Sequence, residues 1–352
     1  MLKNKEKRRF KKKFESRLWM ITIGGLLSLA AIIMLGSCST EDEPVSVIEP
    51  FESEETTSSV RESELAQLLE GGDYVDFFNF LENVEEPENL SVYIPDLSLY
   101  DEKSNMEREY AVLLPPSFYT DEDRTYPVIY LLHGKGATFK EWVETGQVKK
   151  VYDYYLNNGL IPECVIIMPE GGESYYVDGY DWDNYFESFF FSTFMPYVEE
   201  IFRVDTRKNK RMICGFSMGG YGASYYAFKY YDLFGLCYTM SAVLYGKNVS
   251  TTPPVVDFIP EIPASDRPRF IMDIGRDDSY KQQNIDMHNW LSANAINHTF
   301  IIREGGHNWI FWRQGIYIAM LKFGLYQESV NPFKIKRKSK LPVHNKSTKV
   351  SE

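Results

Sequence analysis

The chain has 352 residues, of which 44% are hydrophobic and 15% aromatic, so it can bury a substantial core and is not a wholly disordered protein. Its formal net charge of −12 would repel a phosphate backbone, which argues against a nucleic-acid partner. Basic residues concentrate at the two ends of the chain, whereas acidic residues dominate positions 41–90. This distribution indicates terminal segments whose role differs from that of the middle of the chain.

A basic run followed by an apolar stretch occupies residues 1–37, which is typical of a targeting segment. Residues 35–38 (LGSC) resemble the lipobox of bacterial lipoproteins, in which a cysteine is acylated after cleavage of the preceding bond. The resemblance implies that 1–37 is a signal peptide and Cys38 the lipidation site. The rest of the protein is then extracytoplasmic, lipid-anchored to a bacterial membrane at the cell surface or outer membrane. The alternative is an uncleaved anchor, because the apolar stretch 18–35 is just long enough to span a bilayer.

Composition predicts three further segments. Residues 38–88 are acidic and read as a tether with short helical patches, residues 89–333 as the folded domain, and residues 334–352 as a basic polar tail. The remaining cysteines lack paired spacing and lie in apolar runs, so we expect them to be core thiols: Cys164, Cys214 and Cys237.

From about residue 89, short apolar runs alternate with longer helical runs, which predicts an α/β fold with a mostly parallel central sheet and helices on both faces. Two opening antiparallel strands are predicted at 92–99 and 110–114. Six further sheet strands are predicted at 127–132, 164–168, 211–214, 235–240, 270–274 and 299–303. Their apolar runs are mostly continuous, and a continuous run indicates burial on both faces. Helices are predicted at 148–157, 186–202, 220–231, 281–295 and 310–326.

The most informative motif is the G-x-S-x-G at residues 215–219, between a predicted strand and a predicted helix. A nucleophile elbow requires this context. Glycine at positions 215 and 219 would avoid collisions between side chains and the neighbouring strand. The turn would present the Ser217 hydroxyl at the amino end of a helix, where the Met218 amide can stabilise negative charge.

A serine hydroxyl needs a base to remove its proton. His307 lies in a glycine-containing loop after the last predicted strand, at the sheet edge where α/β proteins place their active sites. The other histidines occupy a strand end, a helical run, a strand start and the polar tail: His133, His288, His298 and His344. His307 is therefore the predicted base.

The imidazole in turn needs an acid to orient it. The predicted strand that ends near residue 275 offers three aspartates, Asp273, Asp277 and Asp278. Asp273 still lies within the strand, and Asp277 points elsewhere if Asp278 points inward, so the residues alone allow at most one of them. The chain order of serine, acid and histidine is that of the α/β-hydrolases.

With these motifs in place, the chain resembles the esterase D family of α/β-hydrolases, which includes feruloyl and acetyl-xylan esterases, S-formylglutathione hydrolases and mycolyltransferases. The matching tracts run in family order across residues 90–325. They are 113–115 with Tyr119, 126–134 (YPVIYLLHG), 168–172 (MPEGG), 215–220 (GFSMGG), 275–278 (GRDD) and 305–307 (GGH).

The resemblance implies an α/β-hydrolase fold without a large lid, and a triad of Ser217, Asp278 and His307. It also implies that the amide of Lys135 joins that of Met218 in an oxyanion hole. The chain departs from the family at Gly136-Ala137, where a glycine pair is expected, so the identity of the second amide is left open.

Substrate contacts are expected from the aromatic loop at 174–182 and from the helix start after the base, at Tyr176, Trp182 and Trp309. Such rings can stack on a sugar or a phenolic acyl group, or can simply pack on their own domain. About 30 residues separate the strands that end at 240 and begin at 270, which favours an open cleft able to admit a polymer-borne ester.

The first hypothesis is therefore an exported serine esterase that acts on feruloyl or acetyl esters of plant polysaccharide. One alternative is an acyltransferase that uses the same triad, and another is a non-catalytic carbohydrate-binding lipoprotein. We predict no metal and no cofactor, because the histidines lack metal-ligand spacing.

Overall fold

A computed structural model of the chain describes residues 90–180, 184–244 and 254–330. All of these residues lie within one compact unit of the chain, Gly72–Glu352. The signal peptide, Cys38, the acidic tether and the basic tail predicted from sequence lie outside the described residues, as does Trp182.

The described residues form one eight-stranded sheet in the order β1-β2-β4-β3-β5-β6-β7-β8. The first two strands are antiparallel to their neighbours, and the others are parallel. The strands are β1 (Val92–Asp101), β2 (Met106–Leu114), β3 (Val128–Leu132), β4 (Val165–Pro169), β5 (Arg211–Phe216), β6 (Leu236–Met240), β7 (Arg269–Gly275) and β8 (Thr299–Arg303).

The helices alternate with the parallel strands. They are α1 (Glu141–Glu144), α2 (Val148–Asn157), α3 (Phe186–Phe189), α4 (Met195–Ile201), α5 (Met218–Lys229), α6 (Lys281–Ala293) and α7 (Trp309–Val330). A π-helical turn, Phe190–Phe194, joins α3 to α4. Short 3₁₀ turns lie at Pro116–Tyr119, Lys208–Lys210, Val255–Asp257, Ile259–Glu261 and Ala264–Asp266. Among the described helices, none combines the length and apolarity needed to cross a bilayer.

The core lies against the central strands. Every residue of β3, β4, β5 and β6 is buried, as their continuous apolar runs predict for strands covered on both faces. Cys164, Cys214 and Cys237 are buried free thiols in this core, which confirms the prediction for them. The mostly parallel central sheet predicted from sequence is likewise confirmed, with its two antiparallel strands at one edge.

The sheet order brings three loops together. Strands β5, β6, β7 and β8 are adjacent and parallel, so their carboxyl ends meet at one edge. The turn after β5 carries Ser217, the loop after β7 carries Asp278, and the loop after β8 carries His307. Residues far apart in the chain thereby meet at the carboxyl ends of the strands, where open α/β sheets bind their ligands.

Candidate active site

Ser217, His307 and Asp278 form a hydrogen-bonded line at this edge of the sheet. His307 Nε2 lies 2.9 Å from Ser217 Oγ, and His307 Nδ1 lies 3.0 Å and 3.2 Å from the two Asp278 carboxylate oxygens. With its proton on Nδ1 and donated to the carboxylate, the neutral imidazole presents the Nε2 lone pair to the serine hydroxyl. The structure thus brings together the three residues that the sequence predicts as a triad.

Ser217 lies at a strained turn between β5 and α5. Its backbone has φ 54° and ψ −118°, a region that residues with a side chain seldom adopt. The flanking glycines make the turn possible, because a Cβ at Gly219 would lie 2.0 Å from the carbonyl oxygen of Leu132, and one at Gly215 would lie 2.2 Å from that of Gly219. The collision with the neighbouring strand that the motif predicts is therefore with β3.

Asp278 is held ionised by its surroundings. Burial by itself would raise the pKa of this carboxyl, but the hydrogen bond from His307, the nearby Ser241 hydroxyl and the Tyr280 backbone amide outweigh it and lower the pKa. The Tyr280 amide donates to Asp278 Oδ1 at 2.8 Å. The carboxylate is therefore a fixed negative charge that can stabilise a protonated His307.

The other two aspartates of this segment are placed elsewhere. Asp273 is fully buried within β7 and forms an ion pair with Arg303. The side chain of Asp277 is exposed, and its backbone amide donates to the Gly305 carbonyl at 3.0 Å. Of the three aspartates left open by the residues alone, Asp278 is the one that contacts the imidazole.

Amides that could bind an oxyanion lie on two sides of Ser217. Met218 is the first residue of α5, so its amide is among those that lack an intrahelical acceptor. On the other side, a Cβ built on Gly134 would lie 3.1 Å from the Ser217 Cβ, which puts the loop that continues into Lys135 beside the nucleophile. The Lys135 side chain pairs with Glu173 at 3.1 Å, and both side chains are solvent-exposed.

The loop after β3 is braced by His133, which is fully buried. His133 Nδ1 lies 2.9 Å from the Gly134 carbonyl oxygen, and Nε2 lies 2.9 Å from the Gly171 amide nitrogen. The Glu170 carboxylate lies beside the same ring, 3.0 Å from Nε2. The sequence places His133 only at a strand end, and its role as a brace depends on contacts with the loop after β4 that the motif does not reveal.

Tyr176 corrects a prediction made from the sequence. The sequence predicts that its ring contacts substrate, but the residue is 0% exposed, and its hydroxyl donates to the His133 carbonyl at 2.9 Å. The ring fills the space beside two glycines, Gly171 and Gly222, where a Cβ would come within 2.5 Å of it. Tyr176 therefore packs in the interior and supports the loop after β3.

Trp309 is the first residue of α7. Its ring is partly exposed, and the ring centroid lies 4.7 Å from that of Phe216. Phe216 is the residue before the nucleophile. Its Nε1 donates to Glu141 at 2.8 Å. A substrate contact for Trp309 stays a prediction.

Two rings that the sequence analysis did not single out flank the imidazole of His307. The Tyr280 ring lies 4.8 Å from it, and the Trp312 ring meets it edge-on at 5.0 Å. Tyr280 follows Asp278 closely and Trp312 follows His307, so proximity to the predicted acid and base was the available signal.

Known proteins with sequences similar to this chain include esterases. A 26% identical relative over 221 residues is an acetyl esterase of Caldicellulosiruptor saccharolyticus, and the match covers 54% of this chain and 80% of the relative. An esterase of Mycobacterium tuberculosis is 36% identical over 129 residues, which are 35% of this chain and 26% of that protein. The chain thus spans most of the first relative and about a quarter of the second.

A solved structure of a ferulic acid esterase is 29% identical to the chain and superposes with a TM-score of 0.60, covering 68% of this chain and all of that one. The model of the Esterase family matches residues 102–323, which include the Ser217, Asp278 and His307 positions. Because this match spans more than half of its length, the chain belongs to the Esterase family and is a carboxylic ester hydrolase with the α/β-hydrolase fold.

Proposed function

We propose that this protein is a serine esterase that hydrolyses feruloyl or acetyl esters of plant polysaccharide through an acyl-enzyme on Ser217, outside the cytoplasmic membrane. The observation that carries the proposal is the continuous hydrogen-bonded line from Ser217 through His307 to Asp278. A hydroxyl, a base and an orienting acid in this geometry constitute an activated nucleophile.

Acylation begins when Ser217 Oγ attacks the ester carbonyl carbon and its proton passes to His307 Nε2. The resulting tetrahedral oxyanion accepts hydrogen bonds from the Met218 amide and from an amide of the loop after Gly134, for which Lys135 is our assignment. When the intermediate collapses, the C–O bond to the alcohol breaks and Nε2 returns the proton to the leaving oxygen. The products of this half-reaction are the free alcohol and an ester on Ser217.

Deacylation repeats these steps with water. His307 Nε2 removes a proton from a water molecule, whose oxygen attacks the acyl carbonyl, and Ser217 Oγ then leaves and recovers the proton. The carboxylic acid is released and the triad is restored. Asp278 stays ionised throughout and stabilises the imidazolium that forms in each half-reaction.

The substrate class is supported by the relatives named above, an acetyl esterase and a ferulic acid esterase. It is also supported by two rings, because Trp309 packs on Phe216, the residue before the nucleophile, and Tyr280 lies beside the base; such rings can accept a planar phenolic group. The described part of the connection between β6 and β7 contains only short 3₁₀ turns, as expected of a cleft without a large lid.

The proposed location depends on the amino-terminal segment. The charge and apolar pattern of residues 1–37 and the cysteine at position 38 support export followed by lipidation. Acyl chains contribute about 0.8 kcal/mol per buried methylene, so a multiply acylated Cys38 would hold the enzyme at the membrane. Metabolic labelling with an alkynyl fatty acid, with Cys38→Ala as the control, tests this part of the proposal.

Activity is tested by turnover of methyl ferulate, acetylated xylan and p-nitrophenyl acetate by the purified protein and its Ser217→Ala variant. We expect the natural esters to be hydrolysed and the variant to lose nearly all activity. Turnover of p-nitrophenyl acetate alone would contradict the substrate class, and full activity of Ser217→Ala would contradict the mechanism. No turnover of any ester by the original protein would favour a carbohydrate-binding role.

Acyl transfer is the second candidate function, because an acyl-enzyme can be attacked by a sugar hydroxyl as well as by water. The same preparations, incubated with methyl ferulate and a sugar alcohol, separate the two reactions. Hydrolysis predicts free ferulic acid as the main product at every acceptor concentration. A sugar ester as the main product at low acceptor concentration would assign the enzyme to acyl transfer.

A further inference from the structure

Ser241 lies directly behind the nucleophile, one residue after β6. The Met240 carbonyl accepts the Ser217 amide at 2.9 Å, and the Val243 amide donates to the Ser217 carbonyl at 3.2 Å. The Ser241 amide itself donates to the Asp273 carbonyl at 2.8 Å. The segment that contains Ser241 is therefore fixed both to the nucleophile turn and to the strand that leads to Asp278.

The backbone of Ser241 is left-handed, with φ 50°. Glycine adopts this region without a steric penalty, whereas serine clashes through its Cβ and is not among the side chains enriched there. Nothing in the backbone contacts of Ser241 needs a side chain. A serine at this position is therefore consistent with a use for its hydroxyl group.

The hydroxyl is completely buried, since Ser241 is 0% exposed. Within the part of the chain that the structure describes, its Oγ has no hydrogen bond of ordinary geometry. It nevertheless lies close enough to the Asp278 carboxylate to help lower the pKa of that group. A buried hydroxyl without a partner is costly, so a small movement that completes a bond to Asp278 is favoured.

The groups around Asp278 leave room for such a bond. His307 approaches both carboxylate oxygens, and the Tyr280 amide binds Oδ1. The nearby Asp273 carboxylate is directed to Arg303 and to the Tyr238 hydroxyl. Each carboxylate oxygen has two lone pairs, so Oδ2, which among the described residues is bound by His307 alone, can accept a further hydrogen bond.

We propose that Ser241 is a positioning residue, whose hydroxyl donates to the Asp278 carboxylate and holds it against His307 as the imidazole becomes charged. The inference rests on the proposed triad and adds a fourth side chain to it. Because the Ser241 side chain is completely buried, we assign it an effect on the orientation of Asp278 and not a contact with substrate. Its loss should therefore slow the chemical steps and leave substrate binding almost unchanged.

The test compares the full-length protein with its Ser241→Ala and Ser241→Gly variants, using p-nitrophenyl acetate. Both variants lack the hydroxyl, but glycine also relieves the backbone strain. We expect kcat to fall about tenfold in both, the loss expected for one hydrogen bond to a charged group, with KM within about twofold of the original value. The acid limb of the kcat/KM profile should move to higher pH. Without the hydrogen bond from the hydroxyl, the Asp278 carboxylate stabilises a protonated imidazole more strongly.

Thr239→Val is the matched control. Thr239 lies two residues earlier on β6, is 1% exposed, and its hydroxyl likewise has no partner among the described residues. We expect this variant to keep the kcat and the pH profile of the original enzyme. Thermal unfolding should find Ser241→Gly at least as stable as Ser241→Ala.

The outcomes separate the inference from the function on which it rests. If Ser241→Gly recovers full kcat while Ser241→Ala does not, the position serves the backbone alone and the inference is wrong. Unchanged kcat and pH profile in both variants, with Ser217→Ala inactive, would also overturn it and leave the triad in place. Activity retained by Ser217→Ala would remove the triad and the inference together.

Discussion

Asp273 and Arg303 form a buried ion pair across β7 and β8, with Arg303 Nη2 2.9 Å from Asp273 Oδ2 and Nε 3.0 Å from both carboxylate oxygens. The same guanidinium donates to the Phe311 carbonyl at 2.6 Å and to Gln314 at 3.1 Å, both in α7. Arg303 therefore ties together the two ends of the loop that carries His307.

We expect Arg303→Met to destabilise the protein by about 3 to 5 kcal/mol, because it leaves the buried Asp273 carboxylate unpaired. The double variant Asp273→Asn/Arg303→Met should recover part of this loss, since the buried charge is gone. Chemical denaturation measures both values. Arg207→Met, which breaks the exposed pair with Asp205, is the control and should leave the unfolding midpoint unchanged. A loss below about 1 kcal/mol for Arg303→Met would show that the pair does not hold the loop.

Asp278 and Asp277 are adjacent, yet only Asp278 contacts His307. We expect Asp278→Asn to lower kcat by about 10⁴-fold, because the amide favours the wrong imidazole tautomer and cannot stabilise its charge. Asp277→Asn, on the exposed side of the same turn, should change kcat by less than about twofold. Steady-state kinetics on p-nitrophenyl acetate tests both variants. The reverse order of effects would transfer the role of the acid to Asp277.

The framework of the fold and the triad could be predicted from the sequence, because both follow from local patterns. Continuous apolar runs identify strands buried on both faces, and the G-x-S-x-G motif identifies a turn that requires Gly215 and Gly219. Helix α2 was predicted at residues 148–157 and has those bounds in the structure, Val148–Asn157.

What could not be predicted depends on which side chains meet across elements. The density of aromatic residues in the loop after β4 does not reveal which ring turns inward, so Tyr176 was wrongly expected to face substrate. The choice among the aspartates depends on strand register, which pairs Asp273 with Ile301 and brings it beside Arg303. The position of Ser241 behind Asp278 depends on a single left-handed residue, which the sequence does not indicate.

Trp309 stays a predicted substrate contact, and selective kinetics can test it. Its ring packs against Phe216 and is partly exposed. We expect Trp309→Ala to raise KM for methyl ferulate up to about tenfold more than KM for methyl acetate, which has no ring, since a stacked aromatic pair contributes about 0.5 to 1.5 kcal/mol. Trp309→Phe keeps an aromatic ring and should lie nearer to the original enzyme. Equal changes in KM for both esters would show that the ring serves packing alone.

Glu170 makes the stability of the loop after β4 depend on pH. Burial would raise the pKa of this carboxyl. The hydrogen bond and the charge of His133, together with the backbone amides of Gly172 and Phe139, outweigh burial and lower the pKa below its ordinary value of 4.5. A lowered folded pKa gives stability that is fully present above the unfolded value and is lost as pH falls through the folded value. The free energy of unfolding should therefore exceed that of Glu170→Gln at pH 7, and the difference should shrink below about pH 4.5. A difference that stays constant over this range would contradict the lowered pKa.

Gly219 is the position where the nucleophile turn tolerates least change. A Cβ there would lie 2.0 Å from the Leu132 carbonyl oxygen and 2.6 Å from that of His133, both backbone atoms that cannot rotate away. Gly219→Ala must therefore push α5 away from β3, and with it the Met218 amide and the Ser217 hydroxyl. We expect a loss of at least about 100-fold in kcat, because removal of one oxyanion donor costs that much.

Gly172→Ala is the comparison for this variant, since a Cβ at Gly172 meets nothing within 4 Å and the strain is confined to its own positive φ of 54°. It should cost some stability without a comparable loss of kcat, because Gly172 lies in the loop after β4 and away from the nucleophile turn. Kinetics and thermal unfolding of the two alanine variants, measured side by side, distinguish displacement of the catalytic turn from general destabilisation. Equal kcat in both would mean that the helix can shift without moving Ser217, and that the close contact with β3 serves folding alone.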